Sequence, residues 1–168
     1  MKWRKQPLDS EVRARLALRP KERIIVWVDD GAGRLIVASE SARHLQRVPP
    51  DYARVGWDQI EHASYEAGVL SVTLTPDLDS ATLRVPVGEG RELPVVVRDR
   101  VTASIVVDRF GPLDGEAGVR SVGRRAHDGM ITWRTDVDSR LSSRPGTLEA
   151  AEQLLAEARA EVGDSRAP

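Results

Sequence analysis

Between Arg23 and Val137 the apolar residues return mostly at every second position, in short runs separated by Gly, Pro, Asp and Ser. That period belongs to strands with one buried face and sets an antiparallel meander as the expected fold. RIIVWV (23–28) is an unbroken, β-branched run of the kind covered on both faces. RLIVAS (34–39) follows Asp29-Asp30-Gly31-Ala32-Gly33, whose Asp-Gly step tolerates positive φ and predicts a hairpin. A third strand is expected over 42–47, ended by Pro49-Pro50. In ARVGWDQIEHASYEAGVLSVTL (53–74), Val55 and Trp57 alternate, Ile60 comes three residues later, and Leu70, Val72 and Leu74 share a face. The changed spacing predicts a bulge or bend between Trp57 and Ile60. ATLRVPV (81–87) sets Leu83 and Val85 on one face and Arg84 on the other. GVRSVGRR (118–125) and MITWRTDV (130–137), joined by Ala126-His127-Asp128-Gly129, predict a further hairpin.

Helical spacing appears in three places. Asp9 or Ser10 is a plausible cap for a short helix with Val12, Leu16 and Leu18, stopped by Pro20. Pro94 fits a first helical turn, with Val97, Val101 and Ile105 following at helical spacing, although the β-branched residues of 94–110 read equally as strand. After Thr147, taken as a cap, Leu148, Ala151, Leu155, Ala158 and Val162 form a stripe with Glu149, Gln153 and Glu157 outside it. The expected class is α+β, mainly antiparallel: a curved sheet or partly open barrel with a helix near 94–105 and a C-terminal helix at 147–162. Residues 1–20 read as a leader, 21–162 as one domain, and 163–168 as a disordered tail.

The chain has 168 residues, enough for a self-sufficient core. It has no cysteine, which removes disulfides, thiolate metal sites and cysteine nucleophiles and makes the cytoplasm the expected compartment. MKWRKQPLDSEVRARLALRP has no apolar run of the signal-peptide kind, and no segment reaches the roughly 20 apolar residues that span a bilayer. With 25 basic against 26 acidic side chains, no global field attracts a polyanion.

The strands leading into VGWDQIEHASYEAGVLSVTL, with Trp-x-x-Ile, a turn and an alternating strand, resemble bacterial domains with a pleckstrin-homology-like or GRAM-like barrel. Arg100–Ser104 (RVTAS) and Gly123–Arg125 (GRR) look like stretches of a group of uncharacterised actinobacterial proteins. The resemblance implies a curved antiparallel sheet closed by a helix, often in an adaptor. This chain departs from that pattern in placing strands after the helix expected at 94–105.

No catalytic residue, metal ligand set or cofactor is assigned. His44, His62 and His127 lie in unrelated segments, with no His-x-x-x-His pair and no Gly-x-Ser-x-Gly turn. Asp77-x-Asp79 and Asp136-x-Asp138 lack the further ligands of a calcium loop. Gly31-Ala32-Gly33 and Gly88-Glu89-Gly90 lack the Lys-Ser/Thr of a phosphate loop. The cluster that hints at binding is Arg120, Arg124, Arg125 and His127 on the hairpin, with Arg134 beside it, because guanidinium groups grip phosphate bidentately. Alternation sets Arg120 and Arg124 on one face and Arg125 on the other. The basic stub Lys2, Trp3, Arg4, Lys5 could touch an acidic membrane surface or nucleic acid, but so few charges without a lipid anchor or apolar face bind only weakly.

Three readings follow. The preferred one is a non-enzymatic interaction or adaptor domain with a protein partner. The second is a phosphate, nucleic-acid or lipid-headgroup binder acting through the hairpin arginines, and the third is a hydrolase suggested only by plentiful Asp and Arg.

Overall fold

The computed structural model describes residues 8–29, 35–48, 51–78 and 82–163. The stub at Lys2–Lys5, the turn residues Asp30–Gly33, Asp79 and the tail beyond Gly163 lie outside them. The chain divides into two compact units, residues 1–101 and 102–168. The sequence reading, which places 21–162 in one unit, has no boundary there, because the division falls inside a helix and carries no linker composition.

The first unit begins with α1 (Ser10–Arg15), capped by Asp9, whose carboxylate accepts from the Glu11 N–H at 2.7 Å. β1 (Ile24–Asp29), β2 (Leu35–Ser39), β3 (Ala42–Val48) and β4 (Asp51–Gly56) follow as an antiparallel sheet in chain order. β1 is an edge strand and leaves Ile25 exposed. The strand covered on both faces is β2, where Ile36, Val37 and Ala38 are all buried. That corrects the expectation for RIIVWV: composition marks a buried run, but position in the sheet decides which strand is central. The bend expected after Trp57 is a 3₁₀ turn, Trp57–Gln59. It leads into β5 (Ile60–Glu66), β6 (Val69–Leu74) and β7 (Thr82–Pro86), a second antiparallel sheet in that order. Leu70, Val72 and Leu74 are buried as their alternation requires.

The letters that read equally as helix or strand become both. α2 (Glu92–Ser104) passes directly into β8 (Ile105–Asp114). Burial of Leu93, Val97 and Val101 at helical spacing decides for helix, since these residues join the core formed by Ile36, Val55, Trp57, Ile60 and Leu70.

In the second unit β8, β9 (Ala117–Arg125) and β10 (Ile131–Val137) form an antiparallel sheet with β9 central. α3 (Thr147–Val162) lies against it. The β9–β10 hairpin turns through Ala126–Gly129 as expected, with Gly129 at φ 89°. Two details of α3 differ from the sequence reading. Gly146, in the left-handed region, takes the cap position, and Thr147 is the first helical residue, its buried hydroxyl donating to the Leu141 carbonyl at 3.1 Å. Leu148 leaves the stripe and is 69% exposed; Thr147, Ala151 and Ala158 form the buried line. A stripe centred on Ala lets the helix sit close to the sheet, and Leu148 falls outside its arc. Among the described residues no sheet closes into a barrel, and no helix is long and apolar enough to cross a membrane.

Candidate functional site

The sheet of the second unit has two unlike faces. On β9, alternate residues Ala117, Val119, Ser121 and Gly123 are buried. On the same side, Leu154 of α3 lies over Gly111, and Arg109 reaches Glu161 at 2.7 Å and Glu157 at 3.7 Å. Arg159 stacks over Trp133 at 5.8 Å from the ring centroid. The other face is more open, with Phe110 and Arg120 exposed and Arg124 and Arg134 half-buried, and it carries the arginines.

Register brings them together. Arg120 lies between Phe110 on β8 and Asp136 on β10, Val122 lies between Asp108 and Arg134, and Arg124 faces Thr132. Directly opposed residues in an antiparallel ladder point to the same face, so Asp108, Phe110, Arg120, Arg124, Arg134 and Asp136 share one surface. Arg120 bonds both oxygens of Asp108, its Nε donating at 2.8 Å. The Arg134 Nε donates to Asp136 at 2.7 Å, and Arg124 Nη1 donates to the Ser104 hydroxyl at 3.0 Å. The bond from Arg120 holds the Asp108 carboxyl below its ordinary range, and the nearby charge of Arg124 adds to it. Arg120 is raised in turn by the same bond.

The hairpin cluster is thus partly assembled and partly dispersed. Arg120, Arg124 and Arg134 share the open face. Arg125 lies on the opposite face, as alternation requires, and His127 is exposed in the turn. The sequence reading missed Asp108 and the pairing role of Asp136. Their signal was a carboxylate at alternating positions in IVVDRF and TWRTDV, opposite arginines on the neighbouring strand. Asp136 and Asp138 do not form a ligand pair: Asp136 serves Arg134, while Asp138 bonds the N–H and guanidinium of Arg140. Among the described residues no group of His, Asp or Glu is placed to hold a metal ion.

A second polar cluster lies buried in the first unit. Glu22, just before β1, receives the hydroxyls of Ser39 and Ser41, the Arg19 N–H at 2.8 Å, and Arg54 at 3.6 Å. Burial works against its charge, but these donors outweigh it and lower the carboxyl to about 2. Ser39 has one proton. It is within reach of Glu22 and of the Ala42 carbonyl at 2.8 Å, while the oxygen accepts from the Ala42 N–H at 3.2 Å and lies 3.3 Å from His44 Nε2. The His44 Nδ1 has no partner among the described residues. Burial pushes its pKa down to about 4, with Arg54 adding to the fall and Glu22 opposing it.

Serine, histidine and glutamate in contact suggest a hydrolytic relay, yet the roles are wrong. The serine hydroxyl bonds Glu22 directly, no carboxylate among the described residues orients Nδ1, and Ser39 and His44 are fully buried. This is a structural knot that ties β1, β2, β3 and β4. Trp57 joins it through its indole N–H, which donates to the Ser39 carbonyl at 3.2 Å.

Next to His44, Arg43 points to the opposite face with Ala38 and Val55, its ladder partners in the core. It is fully buried, and none of its three nitrogens has a hydrogen-bond partner among the described residues. Burial lowers its pKa to about 10, which still leaves it charged at neutral pH.

Comparison with family profiles, characterised proteins and solved structures finds no match. Function is therefore argued from the chain's own surfaces.

Proposed function

We propose that this chain is a non-enzymatic interaction module whose docking surface for a protein partner is the open face of the β8–β9–β10 sheet. The observation that carries the reading is the internal pairing of that face. Three arginines stand among two aspartates, with Arg120 and Arg134 bonded to Asp108 and Asp136. Beside them Phe110 is 54% exposed. A surface with both signs of charge around an exposed aromatic matches the composition of protein interfaces, where Arg and aromatic residues supply most of the binding energy. The resemblance to barrel-type adaptor domains agrees with this reading, and the Ser39–His44–Glu22 cluster is buried.

The second reading, binding of a phosphate-bearing polyanion, is favoured by the common face of Arg120, Arg124 and Arg134. It is the weaker of the two, because at Arg120 and Arg134 a phosphate has to compete with a carboxylate already in place.

The test uses the full chain as bait in extract of its native cell, with bound proteins identified and compared with those held by a Phe110→Ser, Arg120→Glu double variant of unchanged circular dichroism. A partner retained by the parent and lost by at least tenfold with the variant is expected. Equal retention by both removes the open face as the docking surface.

A further inference from the structure

The two edges of the β8–β9–β10 sheet are built differently. β8 breaks register between Ile105 and Val107 and again between Pro112 and Asp114, and it carries Pro112. Bulges and proline are two of the devices that blunt an exposed edge. β10 has none of them. It pairs with β9 without interruption from Ile131 to Val137, and ITWRTDV is β-branched and aromatic with neither Gly nor Pro. Among the described residues no strand lies on its outer side.

The ladder fixes which backbone groups face outward. At its two ends Ala126 N–H donates to the Met130 carbonyl and Asp138 N–H to the Gly118 carbonyl. Hydrogen-bonded pairs alternate along an antiparallel ladder, so residues 132, 134 and 136 turn their backbone groups toward β9. Ile131, Trp133, Thr135 and Val137 turn theirs to the free edge.

We infer that the outer edge of β10 docks a second copy of this chain, antiparallel across a two-fold axis at Thr135, making one continuous sheet of both copies. Backbone bonding requires the outward residues of the two copies to meet each other, and charge selects among the registers that do so. An axis at Arg134 or at Asp136 sets like charges face to face. An axis at Trp133 sets Arg134 against Thr132 and Asp136 against Met130. With the axis at Thr135, Arg134 of each copy meets Asp136 of the other, and Trp133 meets Val137, which is 38% exposed. The intrastrand Arg134–Asp136 pair then becomes a four-membered alternation of charge across the axis. The inference goes beyond the proposed function, since it uses the sheet edge and leaves the open face available.

The test is sedimentation equilibrium of the full chain from about 1 to about 500 μM, the range an edge-strand contact of modest area calls for. The parent is expected to move from 18.5 kDa toward twice that mass. Thr135→Pro removes an outward N–H and spares the bonds to β9, and should stay monomeric with unchanged circular dichroism. Thr135→Val, which loses only the hydroxyl shared with Ser121, should dimerise like the parent. Arg134→Asp and Asp136→Arg should each be monomeric, and an equimolar mixture of the two should recover the doubled mass. A parent that stays monomeric throughout, a Thr135→Pro dimer of parental strength, or a mixture of folded charge variants that fails to associate would each overturn the inference. If a charge variant does not fold, Thr135→Pro against Thr135→Val decides.

Discussion

Arg43 holds a charge in the one place where the chain is otherwise apolar. Its ladder partners Ala38 and Val55 belong to the core, and its guanidinium has no acceptor among the described residues. Such a charge costs free energy that an apolar side chain of similar length does not. Arg43→Met is expected to stabilise the fold by about 1–4 kcal/mol, read as a higher urea midpoint. A lower midpoint would mean that the guanidinium is matched by an acceptor. One residue on, His44 faces the Glu22 cluster and is held neutral. Its folded-state pKa of about 4 lies below its ordinary 6.5, so the unfolded chain takes up the proton first and stability falls as the pH drops through that interval. Glu22, lowered from 4.5 to about 2, extends the loss to more acid pH, because its contribution is present above 4.5 and disappears as the folded carboxylate is protonated. Equilibrium unfolding should therefore weaken by roughly 3 kcal/mol between pH 6.5 and 4. His44→Gln, which keeps a polar group toward Ser39 and cannot titrate, should flatten that interval and leave the more acid one. A parental slope in the variant would remove His44 as its source.

Close approaches decide how the elements of the second unit fit. Trp133 lies across Gly123, its ladder partner, so that a Cβ there would meet the ring at 2.9 Å and Val107 at 3.0 Å. Gly123→Ala should destabilise by about 1–3 kcal/mol and shift the Trp133 fluorescence as the ring is displaced. An unperturbed spectrum with parental stability would show that the ring has room to move. The elements themselves were largely legible in the letters. The alternation of Leu70, Val72 and Leu74 marked β6, the Asp128-Gly129 turn marked the hairpin, and the spacing of Val97 and Val101 allowed α2. What the letters could not carry was anything that depends on neighbours distant in sequence. RIIVWV looked central and proved to be an edge, because strand order is set by pairing. Glu22 meets Ser39 only through the β1–β2 ladder, so the buried cluster had no local signal beyond the consecutive polar pair Arg43-His44 within a strand. Arg120 and Arg134 were visible, while their partners Asp108 and Asp136 gain that role only through strand pairing and the local pair on β10.

At the scale of the whole chain, the two units differ in how they are held. The first has a continuous core of Ile, Leu, Val and Trp drawn from two sheets and α2. The second buries mainly Val107, Ala117, Val119, Leu141, Ala151 and Ala158, a smaller apolar volume supplemented by the Arg109 and Arg159 contacts of α3. Native-state hydrogen exchange should find the slowest amides in β2 and β6 and faster ones in α3, since local opening follows buried apolar contact. The reverse order would place the stable core in the second unit. Asp108 and Asp136 engage Arg120 and Arg134 on the open face, which favours protein over phosphate there. Fluorescence anisotropy of a labelled DNA duplex titrated with the full chain at about 50 and about 200 mM salt tests this directly. The account predicts no saturable binding up to tens of μM at either salt, with binding emerging on Asp108→Asn, Asp136→Asn substitution. Tight parental binding that weakens steeply with salt and is abolished by Arg120→Ala would contradict it.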